Sequence, residues 1–133
     1  RPSIMSTIKV GTLLAADGTT TTQPSIPALD KRMAKAWVNF NGTGTVAIRD
    51  SLGVSSVVDT ATGAYKVNFS TNMSSVNFCV FVTSRGVAAS SRGIGTLNHD
   101  VANTVALVGV MTLNAATGNA TDSPECNVMI IED

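Results

Sequence analysis

The side chains able to do chemistry are few in this chain and stand apart from one another. The single histidine, His99, is followed by Asp100 in Leu97-Asn98-His99-Asp100, an arrangement that a serine triad would have to use. No serine sits in a Gly-x-Ser-x-Gly elbow, so this pair reads as loop polar residues. Glycoside hydrolysis requires two carboxylates about 5–10 Å apart. Asp17, Asp30 and Asp59 fall in turn or junction contexts, and Glu125, Glu132 and Asp133 near the end, so no pair is signalled and no catalytic residue is expected. Cys79 and Cys126 lie far apart and outside any CxxC pair. With one histidine they do not compose a zinc site within one chain, and no metal or cofactor is expected. Whether the two cysteines pair is left open by the sequence, a free cysteine being commonly a small buried hydrophobe. Gly93-x-Gly95 lacks the third glycine and the strand-to-helix setting of a dinucleotide fingerprint. That leaves Arg85 and Arg92, in the echoed segments Ser84-Arg85-Gly86-Val87 and Ser91-Arg92-Gly93-Ile94. Their forked donors suit phosphate or carboxylate groups. Trp37 and Tyr65 have the chemistry to stack on sugar rings, but as strand residues they are expected to be buried.

Composition narrows the partners. The 133 residues are enough for one domain and one core. Nine basic and nine acidic residues cancel and make up only 14% of the chain, which argues against nucleic acid or an anionic membrane as the main partner. Ser and Thr supply 30 residues, so neutral hydroxyls do much of the solvating. A weakly charged surface suits a chain that packs against copies of itself. Residues 1–10 contain Ser3, Ser6, Thr7 and Lys9 and no continuous apolar stretch of signal-peptide length. Met5 has the look of a natural start.

The elements that must position these residues are mostly strands. Residues 1–36 read as an extended arm or stalk: Ile8, Val10 and Leu14 alternate, Asp17-Gly18 marks a turn, four threonines follow, and Pro24 and Pro27 break any element. A short helix over 28–36 is predicted, with Leu29, Met33 and Ala36 on one face. From residue 37 to 133 the pattern is β. Trp37-Val38-Asn39-Phe40 runs into the turn Asn41-Gly42-Thr43-Gly44, and Tyr65, Val67 and Phe69 alternate cleanly with polar residues. Segment 76–82 reads as a strand covered on both faces. Segment 101–113 reads as one long strand with Gly109 as a bulge. Turns at intervals near ten residues indicate an all-β antiparallel sandwich, jelly-roll-like in form.

Segment 34–69 carries a resemblance. It reads Ala-Lys-Ala-Trp-Val-Asn-Phe-Asn-Gly-Thr-Gly-Thr-Val-Ala-Ile-Arg-Asp-Ser, then Val-Ser-Ser-Val-Val-Asp, then Thr-Gly-Ala-Tyr-Lys-Val-Asn-Phe. It resembles the C-terminal domain of tail-fibre and fibre-like virion proteins of tailed bacteriophages, those of marine and cyanobacterial phages among them. The opening Met5-Ser6-Thr7-Ile8-Lys9-Val10 is similar to the start of the same proteins. Leu52-Gly53 stands where that family usually has an aromatic residue followed by Asn, and Ala64 where Asp usually precedes the Tyr. The resemblance implies a non-enzymatic, homotrimeric structural protein of the virion, assembled in the bacterial cytoplasm alongside other virion proteins.

Physical reasoning points the same way, because an arm unable to bury Ile8, Val10 and Leu14 gains from neighbouring copies, with Leu29 and Met33 expected as a collar at the trimer axis. The expected work is host attachment, with a host surface glycan as candidate receptor. The loops 84–95, 97–103 and 114–124 are the candidate binding loops, carrying Arg85, Arg92, His99 and Asp100. Three equivalent weak sites would act together. The alternative expectation is a capsid decoration or head-fibre protein anchored by its N-terminal arm.

Overall fold

The structure is a computed structural model, and it describes residues 11, 12, 14–18, 32–88 and 91–132. Eight strands follow in chain order: β1 (Ala36–Asn41), β2 (Ala47–Leu52), β3 (Val54–Ala61), β4 (Ala64–Phe69), β5 (Cys79–Ser84), β6 (Gly93–Leu97), β7 (Leu107–Asn114) and β8 (Cys126–Ile131). They form two antiparallel sheets of four, ordered β2-β1-β8-β5 and β3-β4-β7-β6. The described chain is an all-β sandwich.

Strand parity decides what faces inward. Because alternate side chains point to opposite faces, placing Val38 and Phe40 inside β1 also places Ala36 inside, and it turns Trp37 and Asn39 outward. Cys126, Val128 and Ile130 on β8 extend this inner face. The facing sheet contributes Tyr65, Val67 and Phe69 from β4 and Val108 and Val110 from β7. Each fully buried aliphatic or aromatic side chain stabilises the fold by about 1.5–3 kcal/mol relative to exposure. Edge-to-face ring pairs fill the two ends of the core: Phe40 with Tyr65 at 5.1 Å, and Phe69 with Phe78 at 5.7 Å.

The chain passes between sheets at Gly53, in 70–78, in 85–92 and in 115–125. At Gly53 the backbone takes φ +66°, and a Cβ there would stand 2.6 Å from the Lys35 carbonyl oxygen, so β2 turns into β3 within one residue. On the other side of the sandwich the edge strands β5 and β6 touch. A Cβ on Gly95 would lie 2.6 Å from Val82 Cγ1 and 2.8 Å from the Val82 carbonyl carbon.

Several expectations are corrected. Of the predicted helix over 28–36, the described part is turn and bend at 32–35 and strand from Ala36; an isolated turn or two of helix is too costly to nucleate, and the sheet claims Ala36. Residues 28–31 lie outside the described residues. Segment 76–82 is not covered on both faces: Val76, in the connection before β5, is 52% exposed, and Phe81 is 53% exposed because the outer face of β5 has no layer above it. The strand expected over 101–113 begins only at Leu107. Gly109 keeps unbroken register with β4; a Cβ there would fall on Val101, so the glycine makes room for a loop folded across the sheet. Trp37 is half-buried rather than buried, whereas Tyr65 is fully buried as expected. Cys79 and Cys126 are both free. Cys79 pairs with Ile131 and Cys126 with Ser84, at opposite ends of the β5–β8 ladder, which no disulfide spans.

Candidate functional site

The topology gives the sandwich two unlike ends. Residues 32–35, which lead into β1, share one end with Gly53, 70–78, 98–106 and Glu132. The other end carries the connections 42–46, 62–63, 85–92 and 115–125, as the registers of β1, β4, β5 and β7 require. The expected binding loops are therefore divided. Loops 84–95 and 114–124 meet at the far end, while 97–103 sits beside the chain's point of entry.

The far end is tied together by main-chain groups. The Gly42 N–H donates to the Ser123 carbonyl (2.8 Å), the Arg85 N–H to the Glu125 carbonyl (2.9 Å), and the Ala115 N–H to the Arg92 carbonyl (2.9 Å). The buried Ser123 hydroxyl donates to the Arg85 carbonyl at 2.6 Å. Beneath them, the Asp122 carboxylate accepts from the Gly63 N–H at 2.7 Å. The Tyr65 hydroxyl lies 3.1 Å from the Gly42 carbonyl oxygen and 3.3 Å from Asp122 Oδ1, within reach to donate to either. Gly63 must remain glycine, since its φ is +67° and a Cβ would stand 2.5 Å from the Thr112 carbonyl oxygen. The backbones bearing Arg85 and Arg92 are thus fixed while both side chains are exposed. A groove of about 570 Å³ opens here, lined by Arg85, Gly86, Val87, Ala88, Ser91 and Pro124. Among the described residues, Arg85 is the one charged residue in that lining.

His99 and Asp100 are at the opposite end, with fully exposed side chains and Nδ1 3.6 Å from Oδ1. They do not join the arginines. Leu14 and Met33 are each 41% exposed, and the expected turn at Asp17-Gly18 is present, with the Gly18 N–H donating to the Ala15 carbonyl at 2.9 Å. Ile8, Val10 and Leu29 lie outside the described residues.

Burial sets the state of the two titratable core groups. It drives the Tyr65 phenol well above its ordinary value and pushes the Cys126 thiol up to about 11. Both are neutral near pH 7 and hold structure. Among the described residues, no group of three or more His, Cys, Asp or Glu is arranged to hold a metal ion.

Two features went unread in the sequence. Asp122 and Ser123, which anchor the far end, sit in an unremarkable Thr-Asp-Ser-Pro stretch and carry no local signal. The outward row containing Trp37 was readable in principle, since inward Val38 and Phe40 force Trp37 out. Comparison of the chain with protein-family models, curated proteins and solved structures finds no match.

Proposed function

We propose that this chain is a structural protein of a bacteriophage virion: a homotrimeric tail-fibre or fibre-like appendage that presents loops for host attachment. The observation that carries the reading is the polarity of the sandwich. The chain enters at one end, and the linked loops 85–92 and 115–125, with Arg85, Arg92 and the groove beside Pro124, occupy the other. A stalk entering at the base and a rigid loop surface at the tip is the layout an attachment appendage needs. The resemblance over 34–69, the neutral hydroxyl-rich composition and the exposure of Leu14 and Met33 support it further.

We read the sandwich as jelly-roll-like in that eight strands divide four and four and β1 lies beside β8. The local hairpins β1–β2, β3–β4 and β6–β7 are this chain's departure from two fully wound Greek keys. Attachment is assigned to the arginine-bearing end, against an acidic or phosphorylated surface glycan, with low single-site affinity raised by threefold presentation.

Competition for phage adsorption tests the proposal. Purified chain should block adsorption to host cells, and the pair Arg85→Ala and Arg92→Ala should lose most of that block without loss of assembly or thermal stability. His99→Ala should block as well as the parent. A parent chain that fails to compete at saturating concentration would overturn the attachment role.

A further inference from the structure

We infer that the outer face of the β2-β1-β8-β5 sheet is the surface on which a second copy of this chain docks. The inference rests on the homotrimeric reading above and assigns its contact face.

The registers place one residue from each strand in a single row. Trp37 stands opposite Leu52 on β2 and Met129 on β8, and Met129 stands opposite Phe81 on β5. Neighbouring strands are about 4.8 Å apart, so the four side chains form a continuous apolar band across the whole sheet. Leu52, Met129 and Phe81 are 52%, 37% and 53% exposed. A groove of about 380 Å³ runs between Trp37 and Phe81, room for side chains from an opposing surface.

The polar residues beside this band favour a protein copy over a sugar. Two positions along each strand lies the row Asp50, Asn39, Asn127 and Thr83. Three of its members are bonded sideways to one another, and Asp50 accepts from the neighbouring Ser51 N–H. Asn39 Nδ2 donates to Asn127 Oδ1 at 2.6 Å, Asn127 Nδ2 to Thr83 Oγ1 at 3.3 Å, and the Arg49 guanidinium to Asn39 Oδ1 at 3.4 Å and to the Pro124 carbonyl. Polar groups already partnered within the chain can be covered at little desolvation cost. A pyranose would need those same groups free. The face carries one cation and one anion, Arg49 and Asp50, so a copy of the chain meets no excess of like charge. Trp, Phe, Met and Leu without Lys or Glu is the composition of an interface centre.

The opposite sheet is a poorer candidate. Loop 98–106 already covers part of its outer face, with Val101 over Gly109, and Lys66 stands beside that contact on β4. Area sets the scale. Four strands of about six residues give a face of roughly 400 Å², about half of the ~800 Å² that each partner buries in a standard interface. A contact of standard size would therefore have this face at its centre and continue onto its rim.

The test uses the full chain, with sedimentation for mass and the emission of Trp37, the single tryptophan, for cover. The parent should sediment above one chain's mass, with Trp37 emission moving to shorter wavelength as the protein assembles. Leu52→Asp with Phe81→Asp should bring the mass down to a single chain while the far-UV β signal persists. Val58→Asp with Ile94→Asp, on the other sheet's outer face, should leave assembly intact. If the Leu52/Phe81 variant still assembles, this face is the wrong one and the homotrimeric reading stands. A parent chain of single-chain mass at every concentration overturns both. Should the Leu52/Phe81 variant not fold, the parent decides: emission unchanged between dissociated and assembled protein overturns the assignment.

Discussion

Replacing Gly42 by Ala should destabilise the protein sharply, and the cost should depend on an atom 23 residues away. A Cβ at Gly42 would fall on the Tyr65 hydroxyl oxygen, 2.7 Å from Tyr65 Cζ and 3.0 Å from the Ser123 carbonyl oxygen. The ring cannot retreat freely, because Tyr65 is fully buried and packs edge-to-face on Phe40 at 5.1 Å. Overpacking of this kind costs about 1–3 kcal/mol, and displacing the phenol adds about 0.5–1.5 kcal/mol for its hydrogen bond to the Gly42 carbonyl or Asp122. Gly42→Ala alone should therefore cost about 1.5–4.5 kcal/mol. Tyr65→Phe alone should cost about 0.5–1.5 kcal/mol. Together they should cost less than the sum, since the oxygen that meets the new methyl is gone, leaving a coupling of the order of 1 kcal/mol. Urea unfolding followed by Trp37 fluorescence at one fixed protein concentration measures all four corners of the cycle, because oligomer stability shifts with concentration. Additivity within about 0.5 kcal/mol would refute the stated contact.

Three further outcomes follow from the core and its seam. Stability should fall as pH rises from about 9. The Cys126 thiol, raised from 9.0 to about 11 by burial, ionises first in the unfolded chain, so the stability present below pH 9 is lost as pH rises to 11, to the order of 2–3 kcal/mol. Cys126→Ala should remove that part and leave the later alkaline loss from Tyr65, as urea midpoints against pH would show. Brief alkylation of the native chain should spare Cys126, which is buried; mass spectrometry showing Cys126 modified without unfolding would contradict its burial. Gly95→Val should cost about 1–3 kcal/mol by forcing β6 away from Val82 on β5, read as a lowered thermal midpoint.

What the sequence made legible was local. The alternation Tyr65, Val67, Phe69 determined an inward face whatever the strand paired with, and Asn41-Gly42-Thr43-Gly44 announced the β1–β2 connection. What stayed hidden was non-local. Nothing near Arg85 signals that Glu125 and Ser123 will hold its backbone, because that contact is set by β5 and β8 lying side by side. For the same reason three polar loops of similar composition resolved into two at one end and one at the other. The stretch 101–113 misled because loop residues such as Val101 are apolar for a different purpose, covering a sheet face rather than lining a strand. Trp37 misleads through its type: an aromatic in a strand suggests core, although the parity of Val38 and Phe40 assigns it to the outer face.

A virion structural role turns on where the protein resides. Immunogold labelling of whole phage particles with antibody against the 85–92 loop examines that directly. Gold is expected at the outer ends of tail appendages. Particles left unlabelled, or labelled over the capsid shell alone, would contradict it, the latter in favour of a capsid decoration protein.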